Sequence, residues 1–500
     1  MAQPRIIHLL KTLNPQEIRR FVSFVESPFF NQNPKLTRLA KHLMKVFPDF
    51  PEEEVANRRL FYIAYGKDEA YEEQWVYDHL SQLRKLLEQF LAQLEYDQDH
   101  AGQGRYLLRS LSERDLADVF PKIAGKAEKQ LIEPEKKNAQ YFLNHFLIQE
   151  LRVSHLQRAR KRAVDGKAES MMTEMVGSLD QFYLATKLKL SCEMRNRSRI
   201  VNTEYPFPLM QEIIQALSKP GQVYLATPVI SIYLTIYRML TEEAHAADYF
   251  RELVNLLEKY GETFARAEAI AMYAFAQNFC VRQINRGQNE YLRELFQLYQ
   301  RMLSREVLIE SDGYLAHWNY KNIATVGLRL GDEEWVRSFI ETYRDSMDPA
   351  NRDNAYNYNL AAYYYETKAY ADAMKLLQQV EFTDIYYHLS AKSILLKIYF
   401  ELEEEDSMSY LMLAFGALLR RNRHISRSQV EVYENFLRFV RQLHRLRGRI
   451  GSTTPQKMRS QIEDLRQKID QADSVANVNW LREKLAELQA AVAREEVRAK

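Results

Sequence analysis

Apolar side chains recur every three or four residues along most of the chain, which is the spacing of helices that bury one face. The pattern is most regular over residues 71–97, where successive apolar residues are 4, 3, 4, 3 and 4 positions apart: Val76, Leu80, Leu83, Leu87, Phe90 and Leu94. Such a heptad seam needs a partner helix. The simplest partners are its neighbours in an N-terminal helical block, residues 1–100.

Proline positions predict where helices of this block end and begin. Ser27-Pro28 ends one helix, because the residue before a proline is disfavoured in the helical conformation. Asn33-Pro34 begins the next, as an N-cap followed by proline at the first helical position. Residues 101–220 continue with long helices of less regular spacing.

Residues 357–380 have the pattern of two closely packed helices. Ala361 and Ala373 fall where the helices must approach, and bulky residues surround that contact: Leu360, Tyr364, Tyr370 and Leu377. Four more segments match this two-helix pattern less closely. The spacing between the starts of successive hairpins falls from about 46 to about 35 residues toward the C-terminus. Gly331-Asp332 is the expected turn of one hairpin. We therefore predict a repeat array over residues 221–447.

The segments 357–380, 320–343 and 392–415 resemble divergent tetratricopeptide (TPR) repeats, whose period is about 34 residues. The resemblance implies an α-solenoid that binds a protein or peptide partner, without naming the partner. The segments ESPFFNQNPKLTRL and NVNWLREKLAEL are also similar to segments of long uncharacterised bacterial helical proteins. That similarity implies a bacterial cytoplasmic protein and no mechanism.

The chain is predicted to end in a linker and a coiled-coil-like helical hairpin, residues 448–500. Two apolar seams support the hairpin: Met458, Ile462, Leu465 and Ile469, then Leu481, Leu485, Leu488 and Val492. Hydrophobic residues make up 46% and charged residues 27%, which indicates a globular chain, and the low counts of Gly 15 and Pro 14 for 500 residues favour long helices. The oligomeric state is left open, and the end hairpin could serve to oligomerise the chain.

Composition and motifs give no support to several classes of function. The net charge of +2 gives no general attraction to nucleic acid or membranes. Cys192 and Cys280 both lie in apolar helical patterns, so we expect buried free thiols and no disulfide framework. The sequence has no GxxxxGK[ST], HExxH, CxxC or GxSxG motif. We therefore expect no enzyme activity, metal or cofactor, and a cytoplasmic location without a membrane span.

The tyrosine-rich helix of the best-formed hairpin supplies a candidate partner groove. On the repeat frame Leu360 and Tyr364 are expected in the hairpin core. The inner face is expected to carry three residues of that helix and four from the flanking hairpins: Tyr358, Tyr365 and Glu366, with Lys321, Arg329, Lys397 and Glu401. Tyrosine among mixed charges suits a peptide-binding groove. The alternative is that the tyrosines pack between long helices.

A basic region is a second candidate surface. Residues 420–449 hold nine arginines and two glutamates, and three of the arginines share a stripe opposite an apolar one: Arg438, Arg441 and Arg445. The stripe could bind nucleic acid or an acidic partner. The interpretation we favour is the polar outer face that a terminal capping helix requires.

Residues 76–90 resemble the recognition helix of winged-helix regulators, which provides an alternative function. The chain would then be a transcription-type regulator with a DNA-binding N-terminal block and sensing repeats. No alternating pattern for a wing follows Tyr96, and acidic residues would face the phosphates: Glu72, Glu73, Asp78 and Glu88. The preferred prediction is a non-catalytic interaction scaffold.

Overall fold

The computed structural model describes residues 5–499 except 115, 117, 133–136, 159–166, 202, 311, 381–384, 423–424 and 473. Across these residues the chain is helical, and the only strand-like pairing is one isolated antiparallel bridge between Ile309 and Leu315. The predicted all-α class is confirmed. The chain divides into two compact units, Met1–Ala265 and Arg266–Lys500. That division falls inside the predicted array of residues 221–447, whose limits stay a prediction.

The first unit contains twelve α-helices in its described residues. They are α1 (Arg5–Leu10), α2 (Pro15–Glu26), α3 (Pro34–Lys45), α4 (Asn57–Tyr65), α5 (Glu73–Gln98), α6 (His100–Glu113), α7 (Phe120–Ile132), α8 (Ala139–Arg158), α9 (Lys167–Val201), α10 (Met210–Leu217), α11 (Pro228–Thr241) and α12 (Ala246–Tyr260).

The heptad seam of α5 is buried against the other helices of its block. All six seam residues belong to one apolar core shared with α1–α4, which confirms the predicted partners. The predicted start of α3 is also confirmed, since the side chain of Asn33 accepts a hydrogen bond from the Lys35 backbone N–H at 3.0 Å. Asn14 and Glu17 form a capping box at the start of α2. The helix α6, rather than a strand, follows α5.

The second unit contains eleven α-helices in its described residues. They are α13 (Arg266–Asn285), α14 (Tyr291–Ser304), α15 (His317–Leu330), α16 (Glu333–Thr342), α17 (Pro349–Glu366), α18 (Tyr370–Leu377), α19 (Ile385–Glu401), α20 (Glu405–Arg421), α21 (Arg427–Arg447), α22 (Pro455–Asp470) and α23 (Val478–Ala499).

Consecutive helices of this unit pair as hairpins: α13 with α14, α15 with α16, α17 with α18 and α19 with α20. In the α17–α18 hairpin, Ala361 and Ala373 are both fully buried at the contact. The turn of the α15–α16 hairpin uses Gly331 at φ +75°, a left-handed conformation that favours glycine. A Cβ atom on Gly327 would lie 2.4 Å from Val336 Cγ2, so these two helices approach too closely for a larger residue.

The last two helices, α22 and α23, lie antiparallel. Arg466 donates to Gln489 at 2.7 Å and Arg482 donates to Asp470 at 2.6 Å, so residue numbers rise along one helix as they fall along the other. Both apolar seams are buried in one core with α19, α20 and α21. The end hairpin is therefore a packed part of the second unit.

Candidate partner-binding face

The residues predicted to line a groove lie on three helices that pack side by side, α15 against α17 and α17 against α19. α15 carries Lys321 and Arg329, α17 carries Tyr358, Tyr365 and Glu366, and α19 carries Lys397 and Glu401. Each of these helices is the first of its hairpin, so we call this surface the first-helix face.

Lys321 connects all three helices. Its Nζ atom donates to Ser390 Oγ at 2.7 Å and lies 5.1 Å from the ring centroids of both Tyr358 and Tyr387. The two rings meet edge to face, with 4.9 Å between centroids. Burial raises the pKa of Tyr358, which keeps its hydroxyl neutral. Because an ammonium group is attracted to tyrosine ring faces, this Lys321 clasp holds α15 against α17 and α19.

Lys397 forms a second clasp between α19 and α17. Its Nζ atom lies 4.2 Å from the ring centroid of Tyr365, and both side chains are buried. Burial lowers the pKa of Lys397, and the negative charges of Glu366 and Glu401 oppose that shift. Partial desolvation raises the pKa of Glu366, and the positive charge of Lys397 opposes that shift too. The Lys397 clasp thus depends on the two acids to keep its cation charged.

The C-terminal helix α23 covers Glu401. Lys484 Nζ lies 2.8 Å from Glu401 Oε1, and Trp480 Nε1 donates to the same oxygen at 3.2 Å. The indole of Trp480 packs edge to face against Phe400, with 5.2 Å between ring centroids. The α19 end of the first-helix face is therefore covered by α23, which we call the tail.

The structure corrects the predicted orientation of the tyrosines. Tyr358 and Tyr365 are buried, because they point at the neighbouring first helices and not into an open groove. Tyr364 was expected in the hairpin core, yet it is only half-buried and faces α16, where Arg337 donates to its hydroxyl at 3.4 Å. The rings of Tyr358 and Tyr365 therefore pack between long helices, which was the alternative interpretation. A role of the face in binding stays a prediction.

The accessible part of the face lies mainly on α15. Its exposed stripe consists of four residues spaced 4, 3 and 4 apart: Trp318, Asn322, Thr325 and Arg329. The side chain of Trp318 is 51% exposed although it is large and apolar. Sequence reasoning found Arg329 and missed Trp318, even though the helical spacing between them was visible. At the end of α17, Glu366 is also exposed.

The arginines of the basic region lie as the sequence pattern indicates. Arg438, Arg441 and Arg445 are exposed on one side of α21. Phe436 and Phe439 are buried on the opposite side. The helix is amphipathic, with its apolar side in the core of the second unit.

A surface cavity of about 760 Å³ is lined by His145 of α8, by residues of α9 and by Val223 and Tyr224. It contains a histidine and a serine in contact, which are residue types that can catalyse reactions together. His145 Nδ1 lies 2.8 Å from Ser178 Oγ. The Ser178 hydroxyl donates to the Glu174 main-chain oxygen at 2.9 Å, so His145 Nδ1 is left as the donor of their shared bond. Burial lowers the pKa of His145 and keeps it neutral. The pair is therefore arranged as a link between helices.

The thiols and possible metal ligands show no reactive arrangement in the described part of the chain. Cys192 and Cys280 are free and buried, as expected. Burial raises the pKa of Cys280 to about 12, and a protonated thiol is a poor nucleophile. Within the same residues, no group of three or more His, Cys, Asp or Glu side chains is placed to hold a metal ion.

Comparisons with known proteins do not assign the chain to a family. No protein-family model, curated protein or solved structure matches it. Among the described residues, no helix combines the length and apolarity needed to cross a lipid bilayer.

Proposed function

We propose that this chain is a non-catalytic protein–protein interaction scaffold of TPR-like hairpins, which binds a peptide segment of its partner along the first-helix face. The observation that carries the proposal is the exposed stripe of α15. Tryptophan and arginine are the residue types that most often supply binding energy at protein interfaces. Here Trp318 and Arg329 lie on one side of a helix whose opposite side is buried.

The two clasps support the proposal because they hold the face in one arrangement. Lys321 reaches from α15 to rings on α17 and α19, and Lys397 reaches from α19 to Tyr365 on α17. A face that is already ordered loses little conformational freedom when it binds. The clasps therefore act as supports for the binding residues, while a partner meets the exposed side chains.

The tail, α23, limits how far the proposed peptide site extends toward α19. Because Trp480 and Lys484 engage Glu401 at the α19 end, a bound peptide lies along α15 and reaches the end of α17. Its expected chemistry follows from the exposed residues. An aromatic or aliphatic side chain would pack on Trp318, and a carboxylate would pair with Arg329 in bidentate fashion.

A displayed library of random 12-residue peptides, selected against the full chain, tests the proposal. The affinity of a selected peptide is then measured by calorimetry. We expect the double variant Trp318→Ala, Arg329→Glu to weaken binding at least about tenfold, since truncation of an interface anchor costs more than 1 kcal/mol.

The matched control carries the same kinds of change on other exposed residues of the second unit. Tyr410 is 77% exposed on α20, and Arg293 is exposed on α14. Tyr410→Ala with Arg293→Glu should leave the affinity within about twofold. The proposal is wrong if no peptide is enriched, or if both double variants bind the selected peptide as tightly as the unchanged chain.

A further inference from the structure

The C-terminal half of α21 presents a stripe of arginines that the proposed peptide site does not use. Arg438, Arg441 and Arg445 are separated by three and four residues, so they lie on the same side of the helix. The helix rises 1.5 Å per residue, so the stripe is about 10 Å long. Phe439 and Leu443 are buried on the opposite side, which fixes the direction in which the arginines point.

These three arginines make no salt bridge with any described residue, although their neighbours do. Arg447 pairs with Glu403, and His444 Nε2 lies 3.7 Å from Glu405 Oε1. Glu403, in the turn before α20, and Glu405, at the start of α20, thus interact with residues beside the stripe and not with the stripe itself. The guanidinium carbon of Arg438 lies 4.7 Å from the ring centroid of Phe439, and none of the three guanidinium groups is paired with a described carboxylate.

The composition of the region indicates which anion chemistry the stripe suits. Residues 420–449 contain nine arginines, no lysine and two glutamates, in a chain whose total net charge is only +2. One of the nine, Arg423, lies outside the described residues. Arginine is preferred over lysine where planar oxyanions are bound in bidentate fashion. A helix that only caps the array needs a polar outer side, and a mixture of acidic and basic residues would supply that polarity.

The rest of the exposed side favours a carboxylate-rich peptide over nucleic acid. Phe436 and Phe439 are buried and Tyr433 is half-buried, so the stripe offers no exposed ring on which bases could stack. Glu431 and Glu434 precede the stripe on the same side of α21 and are exposed. They would repel a phosphate backbone that continued along the helix, which limits the favourable contact to a short ligand.

We propose that the arginine stripe docks an acidic helical segment of a partner protein. Carboxylates spaced three and four residues apart on such a segment repeat with the same rise as the stripe. Each of the three arginines can then form a bidentate pair with one carboxylate. This surface is separate from the first-helix face, so either site could be lost without the other.

Fluorescence anisotropy with the full chain tests the proposal. The probe is a labelled 20-residue helical peptide with three glutamates at this spacing in its centre, and measurements run at about 50 and 200 mM NaCl, since surface charge pairs weaken with salt. We expect binding that weakens at the higher salt. Charge reversal of the whole stripe should weaken it at least about tenfold at low salt: Arg438→Glu, Arg441→Glu and Arg445→Glu. The corresponding triple glutamine variant should also weaken it.

A matched control separates the stripe from the overall charge. Arg19, Arg109 and Arg293 are exposed, make no salt bridge with a described residue and lie on three different helices. Their replacement by glutamate changes the net charge equally and should leave the peptide affinity within about twofold. Circular dichroism of both triple variants should match that of the unchanged chain, because all six side chains are exposed.

Three results would overturn the proposal. The first is no binding of the peptide by the unchanged chain at low salt. The second is equal weakening by both triple variants, which would assign the effect to net charge. The third is tighter binding of a 20-base-pair DNA duplex than of the peptide, abolished by the stripe reversal, which would make the stripe a nucleic-acid surface.

Discussion

Replacement of Trp480 by alanine should weaken the packing of α23 against α19. The indole is 7% exposed and packs against Phe400 and Phe436, with ring centroids 5.2 and 6.1 Å away. It also donates to Glu401. Truncation of a buried tryptophan to alanine costs about 3–5 kcal/mol, because contacts are lost and a cavity remains. We expect the free energy of unfolding of the second unit to fall by that amount.

Trp480→Phe separates packing from hydrogen bonding. Phenylalanine keeps most of the contact with Phe400 and loses the N–H that donates to Glu401. A hydrogen bond to a charged acceptor contributes about 1.5–3 kcal/mol. Lys484 still pairs with the same carboxylate at 2.8 Å, so we expect a loss near the lower end of that range.

Native-state hydrogen exchange, followed by mass spectrometry of peptides from α19 and α23, measures the effect where it arises. A loss of 3–5 kcal/mol corresponds to exchange that is faster by roughly a hundredfold to several thousandfold. The increase should appear in both helices. Trp318→Ala is the control, because Trp318 is exposed on α15, and it should change stability by less than about 0.5 kcal/mol.

The location of the change decides the outcome. If Trp480→Ala speeds exchange in α23 and leaves α19 as protected as before, the tail does not stabilise that helix. The inference that the tail covers the α19 end of the first-helix face would then be wrong.

Three further predictions concern stability measured by urea unfolding. Gly327→Ala should cost about 1–3 kcal/mol, because its Cβ would lie 2.4 Å from Val336 Cγ2; an unchanged midpoint would contradict this close approach. Asn14→Ala should cost about 1 kcal/mol, because Asn14 and Glu17 exchange capping hydrogen bonds, and no loss would mean that solvent replaces the cap. The stability of the unchanged chain relative to Lys397→Met should rise with pH above 7, because burial lowers the pKa of Lys397 and, between the lowered and the ordinary pKa, only the unfolded chain binds that proton; a difference that stays constant with pH would contradict the lowered pKa.

Local patterns predicted much of the fold. The six-residue seam of α5, the Asn33-Pro34 helix start and the Gly331 turn each depend on neighbours within a few positions. Spacing and turn chemistry of this kind can be recognised from sequence alone. The two close alanines of the α17–α18 hairpin were visible for the same reason.

The candidate site was less predictable because its contacts join distant parts of the chain. A repeat frame gives the side of a helix on which Tyr358 and Tyr365 lie, but it does not give what packs there. Lys321 and Ser390 are 69 residues apart, and Trp480 and Glu401 are 79 apart. Which long side chain fills a junction between helices is decided by three-dimensional packing, which leaves no periodic pattern.

The tail over α19 also restricts how this architecture could grow. In the proposed repeat arrangement, the chain would lengthen by adding one more hairpin against an open surface of the last one. Beyond α19 that surface is taken, since Trp480 and Lys484 meet Glu401 there. An engineer who wished to extend the stack would have to insert the new hairpin before α19 and move α19–α23 outward as a single terminal module.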